Sequence, residues 1–250
     1  MCTEIKELGV QWMREIYSFG DIPVAVEYRG KYFEKKSKDY ITRGLEPLFE
    51  IFATDEDLKY EKDHAEQESV YSNSYLEYIA IYRKFCEKAI DYNVALCHGS
   101  VVEYEEKAYL FTAPSGTGKS THTRMWREYF GDKVKMINDD KPLLRFTEQG
   151  VYVYGTPWDG KHHLSMNKKS KLQAICFLHQ DKENKIVKAD PKHVLALLMN
   201  QIYRPRQPEG MLKTMEYVDF IIKNVPMYTM GCTISHEAAK VAYEGMSVNR

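Results

Sequence analysis

The chain reads as an α/β protein in two parts, a small N-terminal α+β segment over residues 1–93 and a larger α/β domain over 94–250. Three observations predict this. Apolar residues make up 44% of the 250 residues and charged residues 28%, which allows a real core inside an ordinary polar surface. Beyond Asn93, short apolar runs of strand length alternate with amphipathic stretches of helical period. Before Asn93, a single strand-like run lies between two stretches of helical period and a long polar connection.

In order along the chain, Ile5, Leu8, Trp12, Ile16 and Phe19 recur at spacings of three and four, which predicts an amphipathic helix. Gly20-Asp21 breaks it, and Ile22–Tyr28 (IPVAVEY) predicts a strand ending in a turn at Arg29-Gly30. Residues 53–73 carry few apolar anchors and predict a solvated connection. A helix follows over 74–93, with Leu76, Ile79, Tyr82, Cys86 and Ile90 as its buried stripe. Strands are expected at Val94–Cys97, Val101–Tyr104 and Ala108–Thr112, with Glu105-Glu106-Lys107 as a turn between the last two. A helix from Lys119 to Phe130 carries Met125, Trp126 and Phe130 toward the core. Val134–Asn138, Leu143–Phe146, Val151–Tyr154 and Leu172–Leu178 read as strands. Helices close the chain at 191–203, 211–224 and 235–246, the last with Ser235 as N-cap.

Composition excludes several functions. The formal net charge is −1, so the basic footprint of a nucleic-acid binder is missing. Five cysteines (Cys2, Cys86, Cys97, Cys176, Cys232) are scattered without CxxC spacing, against both a zinc site and a disulfide framework. Cys97 and Cys176 lie in apolar runs and are expected in the core. With no signal peptide and no run of ~20 apolar residues, the expectation is a cytoplasmic protein without membrane contact.

The segment Ala113-Pro114-Ser115-Gly116-Thr117-Gly118-Lys119-Ser120 matches the Walker A pattern GxxxxGK[ST], except that alanine replaces the first glycine. Gly116 and Gly118 let the backbone turn its N–H groups toward phosphate oxygens. The helix beginning at Lys119 aims its positive end at the same anion. Lys119 supplies a compact positive charge beside the β- and γ-phosphates, and the Ser120 hydroxyl suits Mg²⁺. Thr117 and Thr121 add polar contacts. A strand before the match and an amphipathic helix after it are the context this chemistry requires, and ATP or another nucleoside triphosphate is the expected ligand.

Asp139 and Asp140 end a strand 20 and 21 residues after Lys119, where a P-loop fold holds its metal. Regular alternation would point them apart, but a strand leaving its sheet lets both reach one cleft. One aspartate then serves Mg²⁺ and the other takes the proton of an attacking hydroxyl. His98, in Cys97-His98-Gly99-Ser100, is placed to tune an aspartate or shuttle its proton.

His98-Gly99, then Ser115–Ser120, then Asp139-Asp140, in this order, resembles the catalytic domain of HPr kinase/phosphorylase over residues 94–205. The resemblance implies a mixed-sheet nucleotide-binding core of the type shared with phosphoenolpyruvate carboxykinase. It implies that Ser115–Ser120 hold the triphosphate, that Asp139 is the general base supported by His98, and that Asp140 with Ser120 serves the metal. Gly155–Lys161 is similar to a stretch that lies near the active-site mouth in HPr-kinase-like proteins outside the carbohydrate-regulating group. The signature segment of the bifunctional enzymes is not found between Gly155 and Leu212, so the expected acceptor is another hydroxyl, on a small molecule or on a peptide serine.

Two further cations enter the reading. Lys161 could neutralise transferring phosphate, with Gly-Thr-Pro-Trp as a turn beside it. Arg204 could stabilise the γ-phosphate, or, like Arg206, complement a helix C-terminus. A module that binds nucleotide to regulate, without phosphotransfer, keeps the loop but needs no base. An adenylate-kinase-like enzyme would instead show a mostly parallel sheet with the loop after its first strand.

Overall fold

The computed structural model describes residues 11–65 and 70–247, which gather into two compact units, Met1–Phe85 and Cys86–Arg250. In the first unit, β1 (Met13–Phe19) and β2 (Ile22–Tyr28) form an antiparallel hairpin in which Phe19 pairs with Ile22. Gly20 and Asp21 take φ of 63° and 59°, the left-handed pair whose twist matches that of the flanking strands. This corrects the expected N-terminal helix. Tyr17 and Phe19, two residues apart, are both fully buried, which is strand alternation. The predicted positions Ile5 and Leu8 lie outside the described residues.

α1 (Lys31–Ser37) and the parallel strand β3 (Phe49–Phe52) follow, neither of them foreseen. The expected solvated connection contains α2 (Asp55–Asp63) instead. Its N-terminus is a reciprocal capping box: the Asp57 N–H donates to Thr54 Oγ1, and the Thr54 N–H donates to Asp57 Oδ2 at 2.9 Å. α3 (Asn73–Ala89) is the predicted helix, ended by a 3₁₀ turn at Ile90–Tyr92. Its buried stripe runs through Leu76, Ala80, Ile81, Phe85, Cys86 and Ala89, while Ile79 and Tyr82 are only half-buried. Phe85 completes an aromatic cluster with Phe19, and Tyr17 packs edge-on against Phe33.

The second unit is a mixed sheet with helices on both faces. Its strands are β4 (Val94–Leu96), β5 (Ser100–Tyr104), β6 (Lys107–Thr112), then, after α4 (Lys119–Phe130), β7 (Val134–Asn138), β8 (Leu143–Thr147), β9 (Gly150–Tyr154), β10 (Lys169–Gln180) and β11 (Lys185–Lys188). α5 (Pro191–Gln201), α6 (Pro208–Asn224), β12 (Met227–Cys232) and α7 (His236–Ser247) complete it. The order is β4-β8-β9-β10-β6-β5-β7, with β12 on β10 and β11 on β12. β6, β10 and β12 are mutually parallel and every other pairing in this sheet is antiparallel. The sheet is therefore not the mostly parallel one of the adenylate-kinase-like alternative, and the glycine-rich loop follows its third strand, not its first.

Alternation along the strands sorts the core into two layers. Val101, Leu110, Ile175 and Phe177 bury with Val194, Leu198 and Ile221 under α5 and α6. Tyr109, Phe111, Cys176 and Met230 bury with Trp126, Ala238 and Ala242 under α4 and α7. Cys97 and Cys176 are fully buried as expected, and burial pushes the Cys97 thiol up to about 12. Ser235 Oγ accepts from the Ala238 N–H, the predicted cap of α7. Among the described residues no helix is long and apolar enough to cross a membrane.

Candidate functional site

β6 delivers the chain to residues 113–120. Ala113 is the last buried residue of that run, and Pro114, Ser115 and Gly116 stand in solvent. Gly116 and Gly118 have φ of 78° and 114°. A Cβ on Gly116 would meet nothing within 4 Å, so backbone conformation, not space, requires glycine there. α4 begins at Lys119 without a side-chain cap, leaving its first N–H groups to face an anion. Trp126, fully buried one to two turns on, anchors that helix to the sheet. Lys119 is mostly buried, and its ammonium donates to the carbonyls of Ala113 and Pro114 at 3.0 and 3.5 Å. Burial pulls its pKa down, against the negative charge of Asp140. Thr117, Ser120 and Thr121 are half-exposed on the same turn.

The acidic pair sits at the end of β7, where Asn138 breaks the strand. Its Oδ1 accepts the N–H groups of Asp140 and Lys141 at 2.8 and 2.6 Å, an Asx turn that replaces the next rung of the ladder. Its Nδ2 donates to Thr156 Oγ1 at 3.0 Å, binding the turn to the 155–165 segment. The two acids then meet opposite environments.

Asp139 is 3% exposed. Its Oδ1 accepts the Gly160 N–H at 2.7 Å, and its Oδ2 is buried with no hydrogen-bond partner among the described residues. Burial raises its pKa, the Gly160 bond opposes the rise, and the charges of Asp159 and Asp140 add to it. Asp140 has a partner on each oxygen: His98 Nε2 lies 3.2 Å from Oδ1, and Lys141 Nζ donates to Oδ2 at 2.6 Å. Burial acts to raise this carboxyl too, but the His98 and Lys141 bonds prevail and hold it at about 2. Asp140 is thus a fixed anion, while Asp139 is a carboxyl of raised basicity with one oxygen to spare.

The expected support of Asp139 by His98 is not what forms; His98 pairs with Asp140. The histidine and the glycine after it are held by further bonds. The His98 N–H donates to the Gln201 carbonyl at 2.6 Å, its carbonyl accepts from Thr112 Oγ1 at 2.8 Å, and the following Gly99 N–H donates to the Asp140 carbonyl. Its ring Nδ1 lies 3.2 Å from Gln201 Oε1.

The 155–163 segment covers Asp139, but it does so through the Gly160 backbone. Lys161 is exposed and has no hydrogen bond or ion pair among the described residues. Gly155 is demanded by close approach, since a side chain there would strike the carbonyls of Met166 and Ile137. Arg204 is exposed and equally without a partner, three residues beyond Gln201; the Arg206 N–H caps the Glu87 carboxylate. Sequence reasoning missed Lys141 and Gln201, and took Asn138 only as a strand end and Gly160 only as part of the 155–161 stretch. Asn138 carried a usable signal, an Asx-turn former directly before two acids. Gln201 carried none, being 103 residues from the histidine it contacts.

No family model matches the chain, and no curated protein matches it. Among solved structures, the Hpr(Ser) kinase/phosphatase from Coxiella burnetii is similar at a TM-score of 0.37 and 13% identity, covering 62% of this chain and 90% of that one. A likeness of that size assigns neither a family nor an activity.

Proposed function

We propose that this protein is a Mg²⁺-dependent kinase that transfers the γ-phosphate of ATP, or of another nucleoside triphosphate, to a hydroxyl of a small molecule or a peptide serine. The observation that carries the reading is the pairing of one lysine-bearing glycine loop with two adjacent aspartates of opposite character. Phosphoryl transfer asks for positioned charge and a proton acceptor, and both kinds of group converge here.

Ser115–Ser120 cradle the triphosphate, with Pro114 and Thr121 at the edges and Lys119 turning its ammonium from the loop carbonyls to phosphate oxygens. Asp140 and Ser120 offer hard oxygen ligands. Mg²⁺ uses one or two carboxylates and lets substrate phosphates complete its shell, so a single permanently ionised aspartate beside the loop fits. The ion, when bound, supplies charge neutralisation between the phosphates. Asp139 accepts the proton of the attacking hydroxyl at its vacant Oδ2, with Gly160 holding Oδ1. A base lifted toward neutral pH is the more effective one, which favours Asp139 over Asp140 for that role. His98 and Lys141 orient Asp140, and the exposed cations Lys161 and Arg204 are within the same segments for closing on the phosphates. The order of histidine, loop and acid pair resembles HPr-kinase-like enzymes and supports the same roles.

The test is incubation of the protein with γ-labelled ATP, Mg²⁺ and a cell metabolite and peptide extract, with labelled products identified by mass spectrometry. A labelled phosphoester lost in Asp139→Asn is expected. Hydrolysis alone, with no labelled acceptor in any fraction, would overturn the kinase and leave a nucleotide-sensing module.

A further inference from the structure

We propose that Gln201 is a positioning residue that sets the His98 ring against Asp140, an inference that rests on the kinase reading for its functional consequence but not for its geometry. Gln201 ends α5 and grips one histidine twice. Its carbonyl accepts the His98 N–H at 2.6 Å, and its carboxamide lies 3.2 Å from Nδ1. The other bonds to this segment, from Thr112 and to Asp140 and Pro142, engage backbone only. Among the described residues, the ring itself meets Gln201 on one side and Asp140 on the other. The His98 side chain is 36% exposed, so solvent reaches part of the ring.

The chemistry of the two ring nitrogens follows. Asp140 takes the Lys141 ammonium on Oδ2 and faces the ring with Oδ1, a carboxylate acceptor, so Nε2 carries the hydrogen of that contact. In the Nε2–H tautomer Nδ1 is bare, and a donor facing it holds that tautomer. A carboxamide meets the need, because a half-turn about its last torsion exchanges Oε1 for the NH₂ group. Glutamate would present acceptors alone, and a hydrocarbon would present nothing. Without Gln201 the ring turns away, Asp140 Oδ1 loses its donor, and the carboxylate swings toward Lys141, its remaining partner.

The experiment uses the full chain with Gln201→Met, which conserves volume, and Gln201→Asn, which keeps the amide one methylene short. Long-range ¹H–¹⁵N spectra at pH 8 read the His98 tautomer, and paramagnetic titration with Mn²⁺ reads the metal site in the presence of nucleotide. Expected are the Nε2–H tautomer in the parent and a mixture in both variants. Mn²⁺ affinity and kcat should both fall by about tenfold, the scale of second-shell substitutions at metal sites, with metal-free triphosphate affinity unchanged. Parent-like ring spectra and Mn²⁺ affinity in Gln201→Met, or full function in Gln201→Asn, would overturn the proposal. If the ring responds to Gln201 but the parent protein takes up no triphosphate, the positioning role stands and the kinase reading falls.

Discussion

A carboxylate taken out of water loses hydration that only hydrogen bonds or cations replace, and the two neighbouring aspartates sit on either side of that rule. Asp139 keeps one bond and a raised pKa; Asp140 is held by the His98 ring and the Lys141 ammonium and has a depressed one. Their effects on stability oppose each other. For Asp140, whose folded pKa lies below the unfolded value near 3.8, the contribution is fully present above pH 4 and is lost as pH falls toward about 2; it amounts to about 2 kcal/mol. Asp140→Asn should therefore destabilise the protein at pH 7 and little at pH 2, read by urea unfolding at both values. For Asp139 the sign reverses: the raised pKa favours the protonated form, so stability declines as pH climbs through 3.8 toward the folded pKa. Asp139→Asn should raise the Tm at pH 7 while lowering turnover by about 10²–10⁴-fold, the usual worth of a general base, with nucleotide affinity kept. A variant that loses turnover only because it unfolds would refute that pairing of effects. Lys119→Ala removes a charge-assisted bond worth about 1.5–3 kcal/mol and should weaken triphosphate binding by roughly 10- to 100-fold in calorimetry.

At the scale of elements, what the sequence revealed depended on whether the deciding contact was local. The loop, α4 and Ser235 at the head of α7 were legible because glycine, lysine and cap chemistry act within a few residues. The capping box of α2 was equally local, Thr54 followed three residues later by Asp57, and was overlooked because the surrounding residues are so polar. Thr54→Ala should cost about 1 kcal/mol, measured by chemical denaturation of the full chain. β1 was misread because Trp12, Ile16 and Phe19 mimic a helical stripe, whereas the two-residue Gly20-Asp21 loop dictates a hairpin. Trp126→Ala should cost about 3–5 kcal/mol and, by releasing α4, also loosen the loop; unchanged nucleotide affinity at full occupancy of the folded state would show that α4 is held by other contacts.

At the scale of the whole molecule, the mixed sheet could be expected only through the order of histidine, loop and acids, because strand direction is set by pairings between distant segments. β12 lies parallel to β10 although more than 45 residues separate them, and no pattern in MYTMGC announces it. The same holds for the site. The loop and the acid pair were visible as residues, but the exchange of partners, with His98 on Asp140 and Gly160 on Asp139, arises where α5, β7 and the 155–165 segment meet. In the proposed kinase a triphosphate joining these parts should bind the native state alone and stabilise it by about 2.7 kcal/mol at a hundredfold excess over Kd. Titration calorimetry of the folded protein with ATP and with GTP in the presence of Mg²⁺ tests this most directly. Saturable one-to-one uptake of a triphosphate, weakened at least tenfold in Lys119→Ala, is the predicted result. No heat from either nucleotide at any magnesium concentration, or equal binding by Lys119→Ala, would contradict the account.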